Sequence, residues 1–83
     1  MIRKQKVYEV GTLLSRKPFI GEGQVASFPT ENGIIIDRIP MPGRYPVEYR
    51  YIIQWDDGEK QSLRPKNLKG YLKAGHIEIL SEG

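Results

Sequence analysis

Residues 51–63, "YIIQWDDGEKQSL", decide the fold because they read as one complete β-hairpin. Apolar and polar residues alternate from Val47 to Trp55, which predicts a strand with one buried face. Asp57-Gly58 is a pair that favours a two-residue type I′ turn, and residues 59–63 should return as the next strand. The predicted apolar face consists of Val47, Tyr49, Tyr51, Ile53 and Trp55.

The remainder of the chain is predicted to form short strands separated by glycine- and proline-rich loops. No stretch shows sustained helical periodicity, and β-branched residues are frequent. Asn32-Gly33 is expected to form a tight turn before the next strand. The other predicted strands are "KVYEVGTLL" (6–14), "QVASF" (24–28), "IIIDRI" (34–39) and "IEIL" (77–80), and the predicted loops are "RKPFIGEG" (16–23) and "PMPGRYP" (40–46).

The segment before the last strand is less regular. "RPKNL" (64–68) should form a single helical or 3₁₀ turn, because Pro65 fits the first helical position, where an N–H is not needed. "KGYLKAGH" (69–76) is either another short turn or an irregular segment.

Length and composition predict one domain over residues 1–83, with residues 1–6 as a flexible basic tail. There is no cysteine, so the core must come from apolar packing or from a partner's surface. No run approaches the ~20 apolar residues that span a bilayer, and the N-terminus lacks the apolar stretch of a signal peptide. We therefore expect a cytoplasmic protein with no membrane partner.

The net charge of +3 hides an uneven distribution. Residues 1–17 carry five cations and one acid, and residues 18–59 carry three cations and seven acids. Residues 60–77 carry five cations and no acid. Two basic ends around an acidic centre favour a polyanionic partner.

From Gly33 onward, the order of the parts resembles the Tudor and SH3-like small-barrel families. The resemblance rests on "NGIIIDRI", a proline-rich loop, "YRYIIQWDDG", "QSLRPKNL" and a final "IEIL", and it covers about the last fifty residues. It implies an all-β fold: a small, strongly bent antiparallel barrel of five to six strands, with a short 3₁₀ or helical turn before the last strand. Such domains bind methylated lysine or arginine tails, nucleic acids or other proteins. Trp55 matches one aromatic position of the methyl-binding cage, but the adjoining turn, Asp56-Asp57-Gly58, supplies no second aromatic residue.

The basic segment that follows the hairpin is the main candidate site. Its cations could neutralise phosphates, while Trp55 or Tyr71 stacks on exposed bases. Alternatively, the lysines form a solvated surface that blocks edge aggregation, and Trp55 is a core residue. The candidate nucleic-acid-binding residues are Lys60, Arg64, Lys66, Lys69, Lys73, Tyr71 and Trp55.

The sequence offers little for catalysis. Asp56 and Asp57 are adjacent at a turn, where their side chains should diverge, and His76 is the only histidine. We therefore predict no catalytic residue, metal site or cofactor, although a site shared between subunits of an oligomer stays open as a third reading.

The leading interpretation is a non-enzymatic module that binds DNA or RNA without strong sequence specificity. The alternative is a protein–protein interaction module, such as an adaptor, an inhibitor or a small subunit of a larger complex. Homo-oligomerisation is a variant of this alternative.

Overall fold

The computed structural model of the protein describes residues 7–21, 24–43 and 47–83. The predicted tail over residues 1–6 and the end of the predicted loop 40–46 lie outside these ranges. Among the described residues, no helix has both the length and the apolar character needed to cross a membrane. The elements are β1 (Leu13–Arg16), β2 (Phe19–Gly21), β3 (Gln24–Val25), β4 (Glu31–Pro40), β5 (Tyr49–Trp55), β6 (Lys60–Leu63), α1 (Pro65–Ala74) and β7 (Ile77–Ser81).

Five of the strands form one antiparallel sheet in the order β6-β5-β4-β1-β7, and β2 pairs with β3 separately. The predominance of antiparallel strands confirms the predicted all-β class. The edge strands β6 and β7 are not hydrogen-bonded to each other, so this sheet of the described chain does not close into the predicted barrel. A register shift between Ile35 and Asp37 interrupts β4, as a bulge that bends a long strand does.

The hairpin of β5 and β6 is confirmed, but its turn differs from the prediction. Tyr51, Ile53 and Trp55 are buried, as the alternation requires. The Gly58 N–H donates to the Trp55 carbonyl, and the Trp55 N–H donates to the Glu59 carbonyl. Gly58 has a φ of 93°, whereas no non-glycine residue in the described ranges has a positive φ. A type I′ turn needs two positive φ angles, so this is a type I turn followed by a glycine bulge.

The predicted turn at Asn32-Gly33 is wrong, because both residues lie inside β4. Gly33 pairs with Trp55 across the sheet, and the indole occupies the space beside it. A Cβ at position 33 would lie 2.5 Å from Trp55 Cε3. Glycine is needed here for the close approach of the ring and not for a turn.

Before β4, the strands differ from the predicted runs. β1 begins only at Leu13, after Gly11 with its φ of 98°. β2 lies within the predicted loop 16–23, and β3 is shorter than the predicted strand 24–28.

The predicted single turn after β6 is instead the ten-residue helix α1. Pro65 occupies its start, and Gly75 ends it with a φ of 81°, the left-handed conformation typical of a C-terminal glycine. Leu68 is 1% exposed and inserts into the core between the helix and the sheet. The core cluster consists of Leu14, Ile35, Tyr51, Ile53, Trp55, Leu63, Leu68 and Ile77.

Candidate nucleic-acid interface

Trp55 is a core residue, which overturns its predicted role as a stacking surface for bases. Its side chain is 1% exposed and packs against Gly33. Its Nε1–H donates to Gln61 Oε1 at 2.9 Å, so its polar group is satisfied inside the protein. A base cannot reach a ring that is enclosed in this way.

Arg16 covers Trp55 and holds the acidic centre of the chain together. Its guanidinium carbon lies 4.4 Å from the indole centroid, a cation–π contact. It pairs with Glu31 at 2.7 Å, with Glu59 at 2.8 Å and with Asp57 at 3.4 Å. Two of these carboxylates come from the β5–β6 turn region and one from β4, so Arg16 ties β1 to both.

These contacts move the pKa of two groups in opposite directions. Hydrogen bonding to Glu31 is the main reason that the pKa of Arg16 is raised. The pKa of Asp57 is lowered, chiefly because its carboxylate accepts the backbone N–H of Glu59 and also lies beside Arg16. Both shifts stabilise the charged forms, so Arg16 and Asp57 stay ionised at neutral pH.

Other cations outside the basic segment are also neutralised. Lys17 pairs with Glu78 at 2.6 Å, and Arg38 pairs with Glu9 at 3.2 Å. Arg16 and Lys17, the cations of the first basic end that fall in the described ranges, are therefore both paired with acids. The basic residues 3–6 lie outside the described ranges.

The structure brings most of the basic segment together on α1. Three lysines of α1 lie within about 60° of one another around the helix axis, given 3.6 residues per turn. They are Lys66, Lys69 and Lys73, and all are exposed. Arg64 directly precedes the helix and is also exposed. Lys60 begins β6, about 13 Å of strand away from Arg64, so it stands apart from the others. None of these five cations forms an ion pair with any residue in the described ranges.

Most of the charges on α1 are not placed to stabilise the helix itself. Its first turn contains no acidic residue, although acids there interact favourably with the helix dipole. Lys66 instead places a positive charge in that turn, where the dipole opposes it. Only Lys73, in the last turn, has the sign that the dipole favours. Stability of the helix therefore does not account for this set of charges.

Tyr71 belongs to an aromatic cluster that the sequence did not reveal. Its ring lies 5.1 Å from that of His76, and the Phe19 ring stacks on His76 at 4.3 Å with an interplanar angle of 20°. His76 is held by the backbone, because its N–H donates to the Tyr71 carbonyl and its carbonyl accepts the Lys17 N–H. Phe19 is 49% exposed, so this cluster, unlike Trp55, presents an aromatic surface to solvent.

Phe19 and α1 face each other across an open groove of about 460 Å³. Of the basic residues, Lys66 lines this groove. It is lined by Phe19, Lys66, Asn67, Gly70, Tyr71 and Ala74. No pattern in the sequence joins Phe19 to α1, because they are far apart in the chain.

Within the described part of the chain, no group of three or more histidine, cysteine or acidic residues is placed to hold a metal ion. Comparison with known proteins found no matching family model, no matching curated protein and no matching solved structure. We therefore infer the function from the geometry alone.

Proposed function

We propose that this protein is a non-enzymatic module that binds nucleic acid on the exposed basic face of α1. One observation carries the proposal: Arg64, Lys66, Lys69 and Lys73 have no carboxylate partner among the described residues. Arg16, Lys17 and Arg38, by contrast, are all paired with acids. A row of unneutralised cations is what a phosphate backbone requires of a protein surface.

We also propose an SH3-like, Tudor-type arrangement within a single domain over residues 1–83. The strand order β7-β1-β4-β5-β6 supports it, as does the position of a helix directly before the last strand. The register shift in β4 supports it as well, since a bulge bends its strand and small barrels need strongly bent strands. Binding function does not follow from this arrangement and is argued only from the surface.

The binding would be dominated by charge. Four phosphate contacts release about four counterions, which gives a slope of log affinity against log salt of about −2.8 for single strands and −3.6 for duplex. Between 50 and 200 mM salt, affinity should then fall by about 50-fold and about 150-fold respectively. Contacts to phosphates carry no sequence information, so strong sequence preference is not expected.

Titration of fluorescently labelled DNA and RNA against two matched variants tests this proposal. Lys69→Gln/Lys73→Gln removes two charges from α1, and Arg50→Gln/Lys60→Gln removes two exposed charges from β5 and β6. Glutamine has nearly the helix propensity of lysine, so α1 should persist. The α1 variant should reduce the salt slope by about 1.4 for single strands and about 1.8 for duplex, and the control should leave both slopes unchanged. Absence of binding at low salt, or equal effects of both variants, would refute the proposal.

Protein–protein interaction is a second candidate, favoured by the outer face of the sheet. Leu13 and Ile34 are opposite each other on β1 and β4 and are 43% and 37% exposed. Leu80, on the neighbouring β7, is 55% exposed. Sedimentation analysis over a concentration series, with and without nuclease, tests self-association. A stoichiometric protein partner that co-purifies after nuclease treatment would favour this candidate.

A further inference from the structure

The groove between Phe19 and α1 has an aromatic wall that is exposed and yet fixed in position. One face of the Phe19 ring packs on His76, and the His76 ring is held by Lys17, whose carbonyl lies 2.5 Å from Nδ1. The backbone of Lys17 also donates to the His76 carbonyl at 2.7 Å. An aromatic ring that is held by its neighbours loses little conformational freedom when a ligand stacks on it.

Gly70 keeps the opposite wall of the groove open. It lies in the interior of α1, where glycine is less favourable than alanine. Its φ is not positive, and a Cβ built there would meet no atom within 4 Å. Neither backbone conformation nor packing therefore requires a glycine at this position. Any larger side chain would project into the groove, so the glycine preserves the space that a ligand would use.

The chemistry of the groove matches a flat aromatic ligand that carries an adjacent negative charge. Phe19 and Tyr71 supply apolar ring surfaces, and Lys66 supplies a cation at the same groove. Asn67 adds an amide that can both donate and accept hydrogen bonds, so it can contact any base edge. An unpaired nucleobase with its phosphate has these properties. A base inside a duplex does not, because its faces are covered by its neighbours.

We infer that this groove accepts an unpaired nucleobase, and that the protein therefore prefers single-stranded nucleic acid to duplex. This inference rests on the proposed function and specifies its ligand. The lysines of α1 hold the backbone of the strand, while one base turns into the groove against Phe19. One stacked base changes affinity by about 5- to 150-fold. Because charge alone favours duplex, a preference for single strands has to come from the groove.

The experiment compares a labelled single-stranded DNA of about 15 nucleotides with the same strand in a duplex. Phe19→Ala should weaken single-strand binding by at least about 5-fold and leave duplex binding unchanged. Ile20→Ala is the matched control, because Ile20 is 68% exposed on the same strand and does not line the groove. Gly70→Gln is a second, independent variant, which fills the groove from the side of α1 while favouring the helix. It should also weaken only single-strand binding.

The outcomes separate the two proposals. If neither DNA binds, the proposed function and this inference both fail. If both bind through α1 but Phe19→Ala and Gly70→Gln leave single-strand affinity unchanged, the inference alone is refuted. Equal losses for single strand and duplex in both variants would also refute it, because the groove would then not distinguish the two forms.

Discussion

Two glycines, both outside turns, should respond in opposite ways to the same substitution by alanine. At position 33, the new Cβ would lie 2.5, 2.9 and 3.0 Å from three atoms of the Trp55 ring. That ring is 1% exposed, and Arg16 lies over it, so it has little room to move. At position 70, the new Cβ would meet nothing within 4 Å.

The magnitudes follow from overpacking and from backbone entropy. Overpacking at position 33 costs about 1–3 kcal/mol, offset by about 0.5–1 kcal/mol from replacing glycine inside a strand. Gly33→Ala should thus lower the free energy of unfolding by up to about 2.5 kcal/mol, which lowers Tm by up to about 20 °C in a domain of this size. Gly70→Ala meets no clash and should raise the free energy of unfolding by about 0.5–1 kcal/mol.

Urea unfolding followed by Trp55 fluorescence and by circular dichroism measures both effects. Trp55 is the only tryptophan, so its emission also reports whether the indole has shifted in Gly33→Ala. A Gly33→Ala protein as stable as Gly70→Ala would refute the close packing of Gly33 against Trp55. It would favour the turn that the Asn32-Gly33 pair suggests.

Three further substitutions test the core and the acidic cluster. Trp55→Phe should lower the free energy of unfolding by about 1–3 kcal/mol, because the hydrogen bond to Gln61 and part of the buried ring are lost. Its nucleic-acid affinity should equal that of the wild type, and a selective loss of binding by a folded protein would contradict the core assignment. Arg16→Gln should cost about 1–2 kcal/mol in chemical denaturation, since three carboxylates and the indole lose their cation. The pKa of Asp57 is lower in the folded protein than its ordinary value of 3.8, so ionised Asp57 stabilises the fold above about pH 4. This stabilisation is lost as the pH falls from 3.8 through the folded-state pKa. Asp57→Asn should therefore flatten the acid side of the stability profile, and an unchanged profile would contradict the shift.

The hairpin was predictable because its information is local. Alternation from Tyr51 to Trp55 fixes which face is buried, and the Asp-Gly pair marks the turn. The turn type was not predictable from the pair alone, since the same residues fit two hairpin geometries. Gly33 was misread for a related reason: its role depends on Trp55, which is distant in sequence.

The full length of the helix was missed because only one of its residues, Leu68, is fully buried, so no apolar periodicity is visible. Its boundaries were nevertheless marked by Pro65 and Gly75, the residues that commonly begin and end helices. The basic residues were found by composition, but their alignment required the helix. Phe19 could not be assigned to the site, because only the tertiary structure brings it beside α1.

Chemical-shift mapping of the isotope-labelled protein with a single-stranded DNA locates the binding surface directly. We expect the largest backbone amide shifts on residues 66–74 and on Phe19, and we expect them to diminish as salt is raised. The amides around Leu13 and Ile34, on the outer face of the sheet, should remain unchanged. Shifts centred on that outer face, or no shifts at low salt, would contradict binding of nucleic acid on α1.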